Sequence, residues 1–165
     1  MRHLCLLLAG ILSLSPLAAF AQEGYVPPPK LEEAAVPGVM AKAVDDVIRP
    51  GYRRFHASAS ALTGAMNGLC AAPSSDTLAK AKAAFANTVS AWSEIEMVRL
   101  GPVLEKNRFE RILFYPDRKG LGLKQVQAAL ASGNEADTKA ETIAGKSVAV
   151  QGLGALEYVL YGTGG

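Results

Sequence analysis

Apolar residues recur at helical spacing along most of the chain, and strand-like alternation of apolar and polar residues persists nowhere. Between Val39 and Cys70, the positions Met40, Val44, Val47, Ile48, Phe55, Leu62, Met66 and Leu69 mark one helical face. Pro50-Gly51 interrupts it, because proline lacks a backbone donor and clashes with the preceding turn. The pattern therefore predicts one bent helix or two helices meeting near Arg49. Ala71-Ala72-Pro73 then turns the chain, and Ser74-Ser75-Asp76 offers N-caps for a helix from about Thr77 to Leu100 with Leu78, Phe85, Val89, Trp92 and Ile95 inward. Gly101-Pro102 stops it.

From Glu105 to Lys119 aromatic and charged residues mix without a clean period, which predicts a short helix followed by an irregular link through Tyr115-Pro116-Asp117. Another helix fits Leu123 to about Ala131, with Val126 and Leu130 inward, before the Ser132-Gly133-Asn134 turn. The polar stretch from Asn134 to Lys146 caps or extends a final helix over Ser147–Gly162, in which Ala149, Leu153, Leu156 and Leu160 share a face. These elements predict an all-α fold, an up-and-down helical bundle of the four-helix type.

Two features of the last segment stand apart from its apolar seam. Gly152 and Gly154 each cost about 1 kcal/mol in a helix relative to alanine, so the pattern implies close helix packing or a backbone approach to a ligand. Glu157 lies at the edge of the seam, where a carboxylate is costly unless it is paired, hydrogen-bonded or bound to a metal.

The first residues read differently. Met1-Arg2-His3 precedes an apolar run from Leu4 to about Leu17, and Ala19-Phe20-Ala21 supplies a small-x-small site, so residues 1–21 read as a signal peptide cleaved after Ala21. A periplasmic protein with no stable membrane span after cleavage is the expectation. Residues 22–37, with Pro27-Pro28-Pro29, read as an extended leader, and residues 38–165 as the bundle domain.

Composition narrows the chemistry. The formal charge is only +2 and the basic residues are scattered, which offers no footprint for nucleic acid. Cys70 is the one cysteine left after processing, so it is either a buried apolar residue or half of a bridge to another molecule. His56 is likewise the one remaining histidine, which excludes an H-E-x-x-H zinc site within the chain and reads most simply as a helix-surface residue. A serine triad finds no glycine-flanked nucleophile. Carboxylates are better supplied: Glu94, Glu96 and Glu157 on facing helices either hold a cation or pair with Arg99, Arg108 or Arg111.

Three landmarks, taken in order, resemble the imelysin-like proteins, a family of exported bacterial proteins related to periplasmic iron-uptake components. They are Trp92 through Arg99-Leu100-Gly101-Pro102, the block Asn107-Arg108 to Tyr115-Pro116-Asp117, and Gln151-Gly152-Leu153-Gly154-Ala155-Leu156-Glu157-Tyr158. The family's G-x-H-x-x-E motif aligns with Gly152 and Glu157 but places Gly154 where the histidine stands. The resemblance implies Glu157 as the remaining metal ligand, with iron, copper or zinc as the ion and a periplasmic or outer-membrane protein as partner. It also implies a role in iron uptake without catalysis, since the histidine on which metallopeptidase chemistry would rest is replaced. A degenerate or partner-completed metallopeptidase and a structural interaction module are the alternatives. Against the family's two bundles, the chain corresponds to the first half.

Overall fold

The computed structural model describes residues 26–30 and 32–162, so the signal-peptide reading of residues 1–21 lies outside the described residues. Among the described residues the regular structure is helical, with no strand. It comprises α1 (Val36–Lys42), α2 (Arg49–Ala71), α3 (Ser75–Ser93), α4 (Arg108–Ile112), α5 (Leu121–Ser132), α6 (Ala140–Ala144) and α7 (Gly152–Tyr161), joined by turns and short 3-10 segments. No helix among them is long and apolar enough to cross a membrane.

Pro50 does not break the first helical run. The six residues Ala43–Ile48 form a π-helical stretch, in which the Arg49 amide reaches back to the Val44 carbonyl, and Pro50 falls in the first turn of α2. There its missing N–H is no loss, and the widened stretch absorbs the ring. Gly51 has a packing reason: a β-carbon would come within 2.7 Å of Ile95 Cδ1, beyond the end of α3.

α2 and α3 form an antiparallel pair joined by a tight turn. Ser74 caps α3 with a reciprocal box, its Oγ accepting from the Thr77 amide at 3.1 Å while the Ser74 amide donates to Thr77 Oγ1 at 3.0 Å. The Ser74→Ala variant is expected to lose about 1 kcal/mol in chemical denaturation, and a loss below about 0.3 kcal/mol would refute that role for the cap. α3 stops at Ser93, short of Leu100, and Glu94 turns outward to pair with Arg54 at 3.1 Å.

The core gathers Leu62, Phe85, Trp92, Ile95, Val103, Leu153 and Leu160. Trp92 sits between Phe55 of α2 and Phe109 of α4, with ring centroids 5.1 and 5.3 Å away. Tyr52 donates to the Val98 carbonyl at 3.0 Å, and burial raises its phenol pKa above the ordinary 10.0. α7 closes the core by packing on α3 and α5.

Several expectations are corrected. Met40 and Val47 are exposed, because α1 and the π stretch run past the end of the α2–α3 pair and have no helix opposite them. Leu130 is exposed near the free end of α5, while Val126 one turn earlier is buried. Cys70 is exposed and free, one residue beyond the inward stripe of Leu62, Met66 and Leu69. Within the stretch 22–37 read as an extended leader, Glu33–Ala35 form a 3-10 turn and α1 begins at Val36. The final helix is shorter too: Val148–Val150 is a 3-10 turn, and the polar stretch before it holds α6 and its own turn at Glu135–Thr138.

Candidate functional site

Two glycines set the geometry of the candidate site. Gly152 opens α7 at φ +70°, and a β-carbon on it would overlap the carbonyl oxygens of Arg111 and Ile112. Only glycine lets the start of α7 lie on the last turn of α4. Gly122, near the start of α5, would bring a β-carbon to 2.9 Å from the Ala149 carbonyl oxygen. These two approaches draw α4, α5 and α7 around the extended link Leu113–Asp117.

Asp117 fixes the start of α5. Its Oδ1 accepts from the Leu121 amide at 2.7 Å, and its Oδ2 accepts from the amides of Gly122 at 2.9 Å and Leu123 at 3.3 Å. This carboxylate satisfies donors that a helix start leaves open. Gln127 Nε2 donates to the Tyr158 hydroxyl at 3.2 Å and ties α5 to α7, while the Tyr161 hydroxyl donates to the Lys82 carbonyl of α3 at 3.2 Å.

The result is an open cleft of about 400 Å³ between the 113–117 link, α5 and α7, lined by Tyr115, Leu123, Gly154, Glu157, Tyr158 and Tyr161 among others. Glu157 is exposed at its wall and has no ion-pair partner among the described residues. Its pairing with Arg99, Arg108 or Arg111 does not occur: Arg108 bonds Glu105 at 3.1 Å, the Arg99 guanidinium lies 4.2 Å from the Phe109 ring centroid, and Arg111 donates to the Ala144 carbonyl at 3.1 Å.

Gly152 and Gly154 do different things. Gly152 answers a close backbone approach, whereas a β-carbon at Gly154 would meet only Leu113 Cδ1 at 4.0 Å. Gly154 therefore leaves room on the cleft wall beside Glu157. The metal test is equally specific. Asp117, the other carboxylate in the cleft, is engaged by three amides, Gly154 provides no donor atom, and no group of three His, Cys, Asp or Glu side chains able to hold a metal occurs among the described residues. One glutamate does not make a coordination sphere, so the described residues do not fit a metal centre of this chain alone. His56 lies on the exposed surface of α2, away from this cleft.

Sequence reasoning placed Glu157, Gly152 and Gly154 on the last helix but missed the role of Asp117 and the Gln127–Tyr158 tie. An aspartate just before a glycine and an apolar-periodic run is the signal that points to a capping role.

An all-helical domain with an open cleft walled in part by Gly154 and Glu157 defines a class, the helical bundles. The family model described as imelysin matches residues 48–165, and the chain belongs to that family. No curated protein and no solved structure matches it.

Proposed function

We propose that this chain is an exported, non-catalytic member of the imelysin family that serves iron acquisition in the periplasm by engaging a protein partner through the Glu157 cleft. The observation that carries the reading is an acid without an ionic partner, on a cleft wall with tyrosines at its rim. Tyr115 is 79% exposed and Tyr161 47% exposed, and such amphipathic rings supply contact area at low entropic expense when a partner covers them. Family membership and the signal-like start of the sequence support the compartment and the process. A metal ion, whether iron, copper or zinc, is held at Glu157 only where the partner brings further ligands.

The test is metal binding by equilibrium dialysis, with and without a periplasmic and outer-membrane extract from iron-limited cells, for the wild type and Glu157→Ala. The chain alone is expected to take up no iron, copper or zinc above the level of an unrelated protein with similar acid content. A complex recovered from the extract is expected to be weakened about tenfold or more by the substitution, the effect of removing a charged hydrogen-bonding group from an interface. Recovery of the same complex at the same strength with Glu157→Ala refutes the role of the cleft. Stoichiometric metal on the chain alone refutes the partner requirement.

A further inference from the structure

A second cavity lies on the opposite side of α7 from the Glu157 cleft. Leu153 and Leu156 face it, whereas Gly154, Glu157 and Tyr158 line the other. It is an open, shallow groove of about 680 Å³ between α2, α6 and α7. Phe55, Leu62, Met66, Ile143, Leu153 and Leu156 make its wall mostly apolar.

One charged side chain, Arg111, lines it, and no acidic residue does. Arg111 has no salt bridge among the described residues. Its Nη1 donates to the Ala144 carbonyl at the end of α6 at 3.1 Å, and its Nε is buried without a partner. A buried donor left unsatisfied costs about 1–3 kcal/mol, so the arrangement is complete only when an acceptor reaches it.

The geometry of the guanidinium says which acceptor. With Nη1 committed to Ala144, the Nε–Nη2 edge remains, and two parallel N–H groups on one planar edge match the two oxygens of a carboxylate. α6 packs chiefly on the turn Glu135–Thr138 and not on the core helices, and Arg111 holds the carbonyl of its last residue.

We propose that this cavity binds an anionic amphiphile, a carboxylate carrying an apolar tail, with Arg111 gripping the head and the α2–α7 wall receiving the tail. Positive charge without a counter-ion at one place on an apolar wall is complementary to that ligand, and to neither a neutral lipid nor a free inorganic anion. The site is independent of Glu157 and of the partner reading above.

The experiment is calorimetric titration of the purified full chain with decanoate below its micelle-forming concentration, and with decanol as the matched neutral probe. One decanoate per chain is expected, bound about tenfold or more tightly than decanol, the margin that a charge-assisted bidentate pair supplies. Arg111→Met is expected to bring decanoate down to the level of decanol, and Arg111→Lys to fall between. Ile143→Trp, which adds bulk to the groove while keeping the Arg111 side chain, is expected to abolish binding of both. Equal affinities for decanoate and decanol in the wild type overturn the proposal, as does decanoate binding that Ile143→Trp leaves unchanged. Should Arg111→Met fail to fold by circular dichroism, these two comparisons decide the matter without it.

Discussion

Gly152→Ala is expected to destabilise the fold by at least about 4 kcal/mol. Two costs combine. Alanine at φ +70° costs about 1–2 kcal/mol because its β-carbon crowds the following carbonyl. The same β-carbon overlaps the carbonyl oxygens of Arg111 and Ile112, which are backbone atoms at the end of α4 and cannot rotate away. α7 would have to lift from α4, which separates Leu153 from the core and opens the Glu157 cleft. For a domain whose total stability is about 5–15 kcal/mol, a loss of this size lowers the melting temperature by about 10 °C or more. Gly154→Ala provides the contrast. Its β-carbon meets nothing closer than 4.0 Å, so the substitution is expected to be neutral or to add about 0.5–1 kcal/mol of helix propensity. Thermal melts followed by far-ultraviolet circular dichroism distinguish the pair. A Gly152→Ala protein melting within about 2 °C of the wild type would show that α7 docks on α4 some other way.

That contrast also marks how far the sequence could be read. Both glycines stand out equally as residues that a helix should not contain, and nothing in the order of residues tells them apart. The difference arises from what lies opposite each, carbonyls of α4 in one case and open cleft in the other, which is a tertiary fact. The all-α architecture was legible because inward stripes such as Leu62–Met66–Leu69 and Phe85–Trp92 repeat at helical spacing. The same reading failed at Met40 and Val47, since periodicity shows that a face is apolar and not whether another element covers it.

Element ends were misplaced for a related reason. The stretch Ser147–Gly162 looks like one helix because Ala149, Leu153, Leu156 and Leu160 keep the period, yet the chain leaves the helical region at Gln151, with φ −121° and ψ 168°, and restarts at Gly152. The break makes room for α4, and Ala149 is buried beside Gly122 of α5 while Leu153 and Leu160 join the core cluster. Likewise Glu157 was legible as an acid at the rim of an apolar seam, but the absence of Asp117 from any ligand set depends on three amides of α5 that only the fold brings to it. Arg111 was visible only as a candidate partner for glutamates. The fold gives it a carbonyl of α6 and an apolar cavity in their place.

Trp92→Ala is expected to cost about 3–5 kcal/mol, the range for removing a large aromatic side chain from a packed core. Trp92 is 1% exposed and joins three elements, since its ring meets Phe55 of α2 and Phe109 of α4 while its backbone belongs to α3. Alanine would leave a void that neither phenylalanine can fill without moving its helix, and the neighbours would also lose tilted aromatic contacts worth about 0.5–1.5 kcal/mol each. Trp92→Phe separates volume from polarity. The indole Nε1 is buried with no partner, so phenylalanine removes an unsatisfied donor while keeping most of the ring, and the loss should be less than half that of alanine. Denaturant titrations of the three proteins by circular dichroism check the order. The consequence for the site follows through α4: Phe109 is two residues before Arg111, whose carbonyl receives Gly152, so loosening the aromatic stack loosens the seat of α7. Limited proteolysis of Trp92→Ala is therefore expected to cut within residues 101–117 sooner than in the wild type, with Trp92→Phe near the wild-type rate. Equal losses for phenylalanine and alanine would mean that the indole nitrogen finds an acceptor in solution and that polarity, not volume, holds this position.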